Sequence, residues 1–219
     1  YLGEDTLPPA GKEALEHSFA SVCVNSCWTA RCAKNLKGAN VKVCTVVGFP
    51  LGAMKTDSKA FEASQAGGAG AAEIDMVLNV GWLKDGRLDD VRKDIVMVKE
   101  ACQGHILKVI LETCLLSDEE KVTACRLAME GGADFVKVFP ASVGGPDYIK
   151  AIRGPLPQIP LVPTGGVELD NIADYFKAGA AAVAVGGSLV SKKLLAARDF
   201  AGVADLARRF AEAARQARA

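Results

Sequence analysis

Seven apolar runs alternate with helix-like stretches along this chain, and that alternation leaves few folds open. The runs are Ala20–Asn25, Val41–Phe49, Glu73–Val80, Leu107–Thr113, Phe135–Pro140, Leu161–Gly166 and Ala182–Ser188. Near-continuous apolar runs suit strands covered on both faces. Between them, Asp57–Ala66, Leu88–Cys102, Ser117–Glu130, Pro146–Ile152, Leu169–Ala178 and Phe200–Ala217 read as helices. Ser117-Asp-Glu-Glu120 has the form of a capping box, and Gly131-Gly132 and Gly179 are stop signals. Strand and helix in turn imply a parallel sheet, since parallel neighbours need a crossover between them.

An eighth strand could lie at Tyr1–Leu7. Eight strands close a (βα)8 TIM barrel, whereas fewer suit an open doubly wound sheet. Asn25, Asp75, Asn79, Glu112, Thr113, Lys137, Thr164 and Ser188 fall near C-terminal strand ends, where barrel enzymes keep their chemistry. The expected fold is therefore an α/β TIM barrel with an abbreviated first βα unit. Only about a dozen residues separate Leu7 from Phe19, the minimum for a crossover. Either the first helix shrinks to Lys12–His17, or residues are missing near the start. No linker or composition break interrupts residues 1–219, which read as one domain.

Charge excludes some functions. Lys plus Arg number 26 and Asp plus Glu 26, so nothing draws the chain to nucleic acid or an acidic membrane. No apolar run is long enough to span a bilayer, and no secretory signal is visible at Tyr1. Seven cysteines, an odd number, favour reduced thiols and a cytoplasmic setting. The spacing of Cys23, Cys27 and Cys32 is not that of a zinc knuckle, and His17 and His105 are the only histidines. No metal site is expected. The oligomeric state is left open, a homo-oligomer included.

The chemistry centres on Phe135-Val-Lys-Val-Phe-Pro-Ala-Ser142. Lys137 shares a strand face with Phe135 and Phe139, because strand side chains alternate. A lysine there is a buried cation with an acidic partner, a partly neutral amine able to attack a carbonyl, or a side chain that snorkels to solvent. Asp75, within Glu73-Ile-Asp-Met-Val77, is a carboxylate among apolar strand residues and should be paired or functional. Lys108 and Glu112 lie four apart on one strand face, where they could form an internal ion pair. Cys23 and Cys114 read as core or rim thiols rather than nucleophiles, with Cys23 counted among the substrate contacts.

Two glycine-rich strand ends complete the candidate set. They are Pro163-Thr-Gly-Gly166 and Gly186-Gly-Ser188. Glycines let backbone N–H groups approach an anion, a following helix N-terminus would add its dipole, and the last barrel loops often hold phosphate. The plainer reading is two tight strand-to-helix turns. Thr164, Gly165, Gly166, Gly186, Gly187 and Ser188 are the candidate phosphate ligands.

These motifs carry a resemblance. Ser21-Val-Cys-Val-Asn25, Val43-Cys-Thr-Val-Val-Gly-Phe-Pro-Leu-Gly52, Glu73–Val77, Lys108-Val-Ile-Leu-Glu-Thr-Cys-Leu-Leu116 and Gly132-Ala-Asp-Phe-Val-Lys137 resemble deoxyribose-phosphate aldolase. After Lys137 the text changes. Lys137–Ser142, Gly154-Pro-Leu-Pro157, Leu161–Gly166 and Val185-Gly-Gly-Ser188 are similar to 2-keto-3-deoxy-6-phosphogluconate (KDPG) aldolase. The chain thus looks like a splice, natural or engineered, of residues 1–134 from one class I aldolase and 135–219 from another.

The resemblance implies a (βα)8 barrel, Lys137 as the Schiff-base lysine, a phosphorylated sugar as substrate and no cofactor. From the deoxyribose-phosphate family it implies Asp75 as the proton-handling carboxylate. That family's second lysine is replaced here by Val162, and Lys108 is the candidate substitute for the lost charge. The KDPG family's glutamate base and carboxylate-binding arginine have no matching motif. The expected activity is a weakened cleavage of 2-deoxyribose 5-phosphate to glyceraldehyde 3-phosphate and acetaldehyde. The alternatives are cleavage of 2-keto-3-deoxy-6-phosphogluconate to pyruvate, favoured by Thr164 and the Phe139-Pro140 turn, and a barrel scaffold without turnover.

Overall fold

The computed structural model describes residues 7–218. Six strands, β1 (Ser21–Val24), β2 (Lys42–Val47), β3 (Glu73–Val77), β4 (Ile106–Glu112), β5 (Phe135–Phe139) and β6 (Leu161–Pro163), pair in sequence order. Every pairing is parallel, and the sheet curls as a half-barrel. The seventh expected strand, Ala182–Ser188, is reduced to one parallel bridge between Thr164 and Ala184. Gly186 and Gly187 bring the segment into a turn, where Val190 N–H donates to Gly186 O. The eighth, Tyr1–Leu7, lies outside the described residues except for Leu7, which opens a helix.

The helices are α1 (Leu7–Glu16), α2 (Thr29–Asn35), α3 (Thr56–Gly68), α4 (Val80–Lys84), α5 (Leu88–Ala101), α6 (Asp118–Glu130), α7 (Gly145–Arg153), α8 (Ile172–Lys177), α9 (Lys192–Ala196) and α10 (Phe200–Arg218). The first is longer than the expected Lys12–His17. α2, α4 and α9 were not legible in the sequence, being five to seven residues long and too short for a periodic signal. The capping box at α6 is formed: Ser117 Oγ accepts from Glu120 N–H and the Glu120 carboxylate accepts from Ser117 N–H.

Alternation along the strands sorts the residues into two faces. Ile74, Met76, Leu107, Val109, Leu111, Val136, Val138 and Leu161 meet Ala63, Ile95, Val98 and Cys125 of α3, α5 and α6 in the main core. The opposite face carries Cys23, Cys44, Glu73, Asp75, Lys108 and Lys137, the residues with chemistry. A smaller core of Ala14, Val24, Cys32, Leu36, Val41 and Val43 closes the β1 edge.

One ion pair sits inside the helical layer. Lys59 of α3 bonds Asp94 of α5, and its Nζ also donates to Gly52 O and Val77 O, each at 3.1 Å. Both side chains are essentially inaccessible. The lysine therefore ties the loop after β2 to the C-terminal end of β3. Gly52 fits there because an added Cβ would lie 2.1 Å from Leu78 O, and because its φ is +65°.

Candidate active site

Strand register assembles the site. Asp75 stands opposite Lys108, Cys44 opposite both Cys23 and Glu73, and Lys137 opposite Ile110 and Val162. Lys137 is buried, and its Nζ donates to Asp75 Oδ2 at 2.8 Å. Lys108 Nζ donates to the other oxygen, Asp75 Oδ1, at 2.8 Å and to Glu73 Oε2 at 2.7 Å. Ser21 Oγ donates to the same Glu73 oxygen at 2.9 Å. Two ammonium groups are thus balanced by two carboxylates, which is what allows four charges to sit at low exposure.

This arrangement selects among the three readings of Lys137: in the resting protein it is a buried cation with an acidic partner. Burial by itself lowers the lysine, but the Asp75 charge beside it prevails and holds the ammonium above its ordinary value. Burial likewise opposes the charge on Asp75, yet Lys137 and Lys108 together keep that carboxyl below its ordinary range. Lys108 is pulled down by burial and pushed up further by Asp75, so it remains a firm cation. The expected Lys108–Glu112 pair does not form. Lys108 reaches across to β3, and Glu112 instead accepts from the Cys114 thiol at 3.1 Å.

Cys23 and Cys44 close the other side. Cys23 Sγ lies 4.0 Å from Asp75 Oδ2, and Cys44 Sγ lies 3.4 Å from Lys108 Nζ. Each thiol acts on the other: Cys44 beside it lowers the Cys23 thiol, and Cys23 raises the Cys44 thiol, which burial raises further. The two sulfurs and an Asp75 oxygen lie within 4.8 Å of one another, a donor set that could take a soft cation. Its carboxylate is already shared by two ammonium groups. Cys114 is exposed, on the rim.

The glycine turns border a cavity of about 310 Å³ whose lining includes Phe139, Thr164, Gly166, Glu168, Gly187 and Ser188. They differ in why they are glycine. Gly165 and Gly166 have φ of +79° and +81°, and a Cβ on Gly166 would lie 2.6 Å from Ser142 Cβ. Backbone geometry explains that pair. At Gly186 and Gly187 an added Cβ would meet nothing within 4 Å, so the missing side chains leave open space. The expected helix dipole is not supplied: α8 and α9 are six and five residues long and begin several residues after the glycines. Thr164 turns its hydroxyl to Val162 O at 3.3 Å.

Sequence reasoning missed Glu73, Cys44 and Ser21 as members of the charge cluster. A signal existed for Glu73, two residues before Asp75 and so on its face. Cys44 and Ser21 needed the register. Lys59 and Asp94 also had a signal. Each occupies an apolar helical stripe, Lys59 with Ala63 and Ala66, and Asp94 with Val91, Ile95 and Val98.

Comparison with known proteins gives the family. The KDPG and KHG aldolase family matches residues 105–206. A deoxyribose-phosphate aldolase of Brevibacillus brevis is 60% identical over 126 residues, which cover 58% of this chain and 57% of that protein. One from a Geobacillus species is 47% identical over 190 residues, covering 83% of this chain and 85% of that protein. The chain therefore spans little more than half of some relatives and most of others. A crystal structure described as a putative deoxyribose-phosphate aldolase from Coccidioides immitis superposes with a TM-score of 0.79 at 34% identity, covering 86% of this chain and 78% of its own. The tetrameric deoxyribose phosphate aldolase of Aeropyrum pernix gives 0.76 at 25% identity, covering 90% and 86%. Among the described residues no helix is long and apolar enough to cross a membrane. On sequence and fold together, this chain belongs to the deoxyribose-phosphate aldolase family.

Proposed function

We propose that the chain is a class I aldolase that cleaves 2-deoxyribose 5-phosphate to glyceraldehyde 3-phosphate and acetaldehyde, and joins them in reverse. The observation that carries this reading is the buried Lys137 amine, 2.8 Å from Asp75; the glycine-turn cavity is lined by Phe139 from the end of the same strand and not by Lys137 or Asp75.

In the first step Lys137 passes a proton to Asp75 or a water beside it, and the neutral amine adds to the substrate carbonyl. Loss of water from the carbinolamine gives an iminium. That cation, formed at C1, takes up the electron pair of the C2–C3 bond once a base removes the proton of the C3 hydroxyl. The bond breaks, glyceraldehyde 3-phosphate leaves, and an enamine remains on Lys137. Protonation of the enamine carbon through Asp75, then hydrolysis, releases acetaldehyde and restores the amine.

Lys108 holds Asp75 anionic and makes it a weaker base. The β6 position beside Lys137 is the apolar Val162, with no cation to drive off the Lys137 proton. Both features support a weakened activity. Gly165, Gly166, Gly187 and Ser188 would bind the phosphate, with Thr164, Gly186 and Cys23 lining the path to it.

A second reading, cleavage of 2-keto-3-deoxy-6-phosphogluconate to pyruvate, is favoured by the family match over residues 105–206. The splice reading, in which residues 1–134 and 135–219 descend from two aldolases within one domain, draws only on the part of that match beyond residue 134. The Thr164–Ala184 bridge supports a (βα)8 barrel, as the start of a seventh strand. Borohydride reduction with acetaldehyde or pyruvate, read by peptide mass spectrometry, tests the proposal. An ethyl adduct on Lys137 supports the first reading and a pyruvate adduct the second. No adduct with either leaves a scaffold without turnover.

A further inference from the structure

Glu168 is the only charged side chain lining the glycine-turn cavity among the described residues. It is a carboxylate in a place otherwise suited to an anion. Among the described residues, no protein acceptor takes the N–H groups of Gly166, Gly187 or Ser188. The space over Gly186 and Gly187 is open. Unpaired backbone donors around an open cavity are the usual requirement for binding phosphate oxygens.

Ser188 should be the side-chain donor of this seat, but its proton is committed. Ser188 Oγ lies 2.7 Å from Glu168 Oε1 and 2.8 Å from Val167 O. A hydroxyl has one proton and serves one acceptor at a time. While either neighbour holds it, Ser188 presents lone pairs to an arriving phosphate. The glutamate is in turn held in place: its backbone N–H donates to Asn171 Oδ1 at 2.8 Å, and Asn171 Nδ2 donates to Gly166 O at 3.0 Å. The asparagine fixes the turn so that Glu168 faces Ser188.

We propose that Glu168 is a specificity-determining residue that occupies the phosphate seat as an internal anion. It penalises phosphate esters against unphosphorylated aldehydes and sugars of the same carbon skeleton. The inference rests on the reading of the glycine turns as a phosphate seat. A phosphate must displace the carboxylate from Ser188 or sit against it, and either route opposes binding. Unphosphorylated 2-deoxyribose carries no charge and meets no such opposition.

The test uses Glu168→Gln and Glu168→Ala, with Gly166→Asp as the control that blocks the seat. Inorganic phosphate binding is measured by calorimetry at low and high salt. The kcat/KM ratio for 2-deoxyribose 5-phosphate over 2-deoxyribose is measured for each protein. Both Glu168 variants should bind phosphate about tenfold more tightly than the parent at low salt, with the gap narrowing at high salt as charge is screened. The kcat/KM ratio should rise through a lower KM for the ester. Phosphate bound equally by parent and both variants, with Gly166→Asp abolishing it, would overturn the role of Glu168 and leave the seat standing. Phosphate bound by none of them would overturn the seat itself, and the inference with it.

Discussion

The two halves of the proposed site solve the problem of charge in opposite ways. Around Lys137 the groups are buried and mutually satisfied: Asp75 receives two ammonium groups on its two oxygens, and Glu73 receives Lys108 and Ser21. At the glycine turns Gly166, Gly187 and Ser188 line a cavity, their backbone N–H groups have no protein acceptor among the described residues, and the one carboxylate lining it is exposed. A paired, low-dielectric cluster holds its geometry rigidly, but removing any member strands a charge. The open seat tolerates change over Gly186 and Gly187, though not at Gly165 and Gly166. Mutations in the first region should therefore affect both chemistry and folding, and those in the second mainly affinity.

The largest effect is expected at Lys137. Lys137→Ala should abolish the borohydride-trapped adduct and lower kcat/KM by several orders of magnitude. Trapping at an unchanged level would move the Schiff base to another lysine. Asp75→Asn should follow, with a loss of roughly 10²–10⁴ in kcat. It should also destabilise the fold by about 3–5 kcal/mol in urea titration, because two buried ammonium groups lose their shared partner. A variant that loses activity at full stability would show that the cluster is less interdependent than its geometry indicates.

The helical layer offers a comparison free of chemistry. Lys59→Met leaves Asp94 buried without its cation, and Asp94 Oδ1 already has no partner. A loss of about 3–5 kcal/mol is expected, most of it recovered in Lys59→Met/Asp94→Leu, where no charge remains. Failure of the double variant to recover would place the role of Lys59 in its bonds to Gly52 O and Val77 O. At the seat, Gly166→Asp should give a smaller stability loss, about 1–3 kcal/mol from its φ of +81° and the close Ser142, together with a clear affinity change. Gly166→Asp brings a charge and a Cβ into contact with Ser142, so weaker phosphate binding is expected, checked by calorimetry.

Acidity sharpens the contrast. Asp75 is held below its ordinary 3.8, so its pairing stabilises the fold above that value, and the contribution fades as pH falls through its lower folded value. Lys137 is held above its ordinary 10.5, so its contribution is full below that value and fades as pH rises through its higher folded value. Pairing stability is thus retained across neutral pH. Adduct formation needs the neutral amine and should accelerate as pH rises from neutral, measured by stopped-time borohydride trapping. A rate independent of pH would mean that Asp75 removes the proton within the bound complex.

The strands were legible because apolar runs with β-branched residues demand burial on both faces, and six of the seven appear within one to three residues of their expected ends. Ala182–Ser188 failed because its small residues and paired glycines favour a turn as readily as a strand. Lys137 and Asp75 could be picked out as charges in apolar strands, for such a residue must find a partner. Which partner each finds depends on register. Lys108 looked suited to Glu112 on its own strand but reaches Asp75 and Glu73 on the next.

The sequence by itself determined the parallel α/β layering, the lysine strand and the glycine turns, since these follow from local periodicity, burial demand and backbone freedom. Only the tertiary structure decided that Lys137 rests as a paired cation, that Lys59 joins two helices, a loop and the end of β3, and that Glu168 bonds the Ser188 hydroxyl. Those outcomes depend on atoms brought together from distant parts of the chain, and electrostatic energy is set by such distances rather than by order along the backbone.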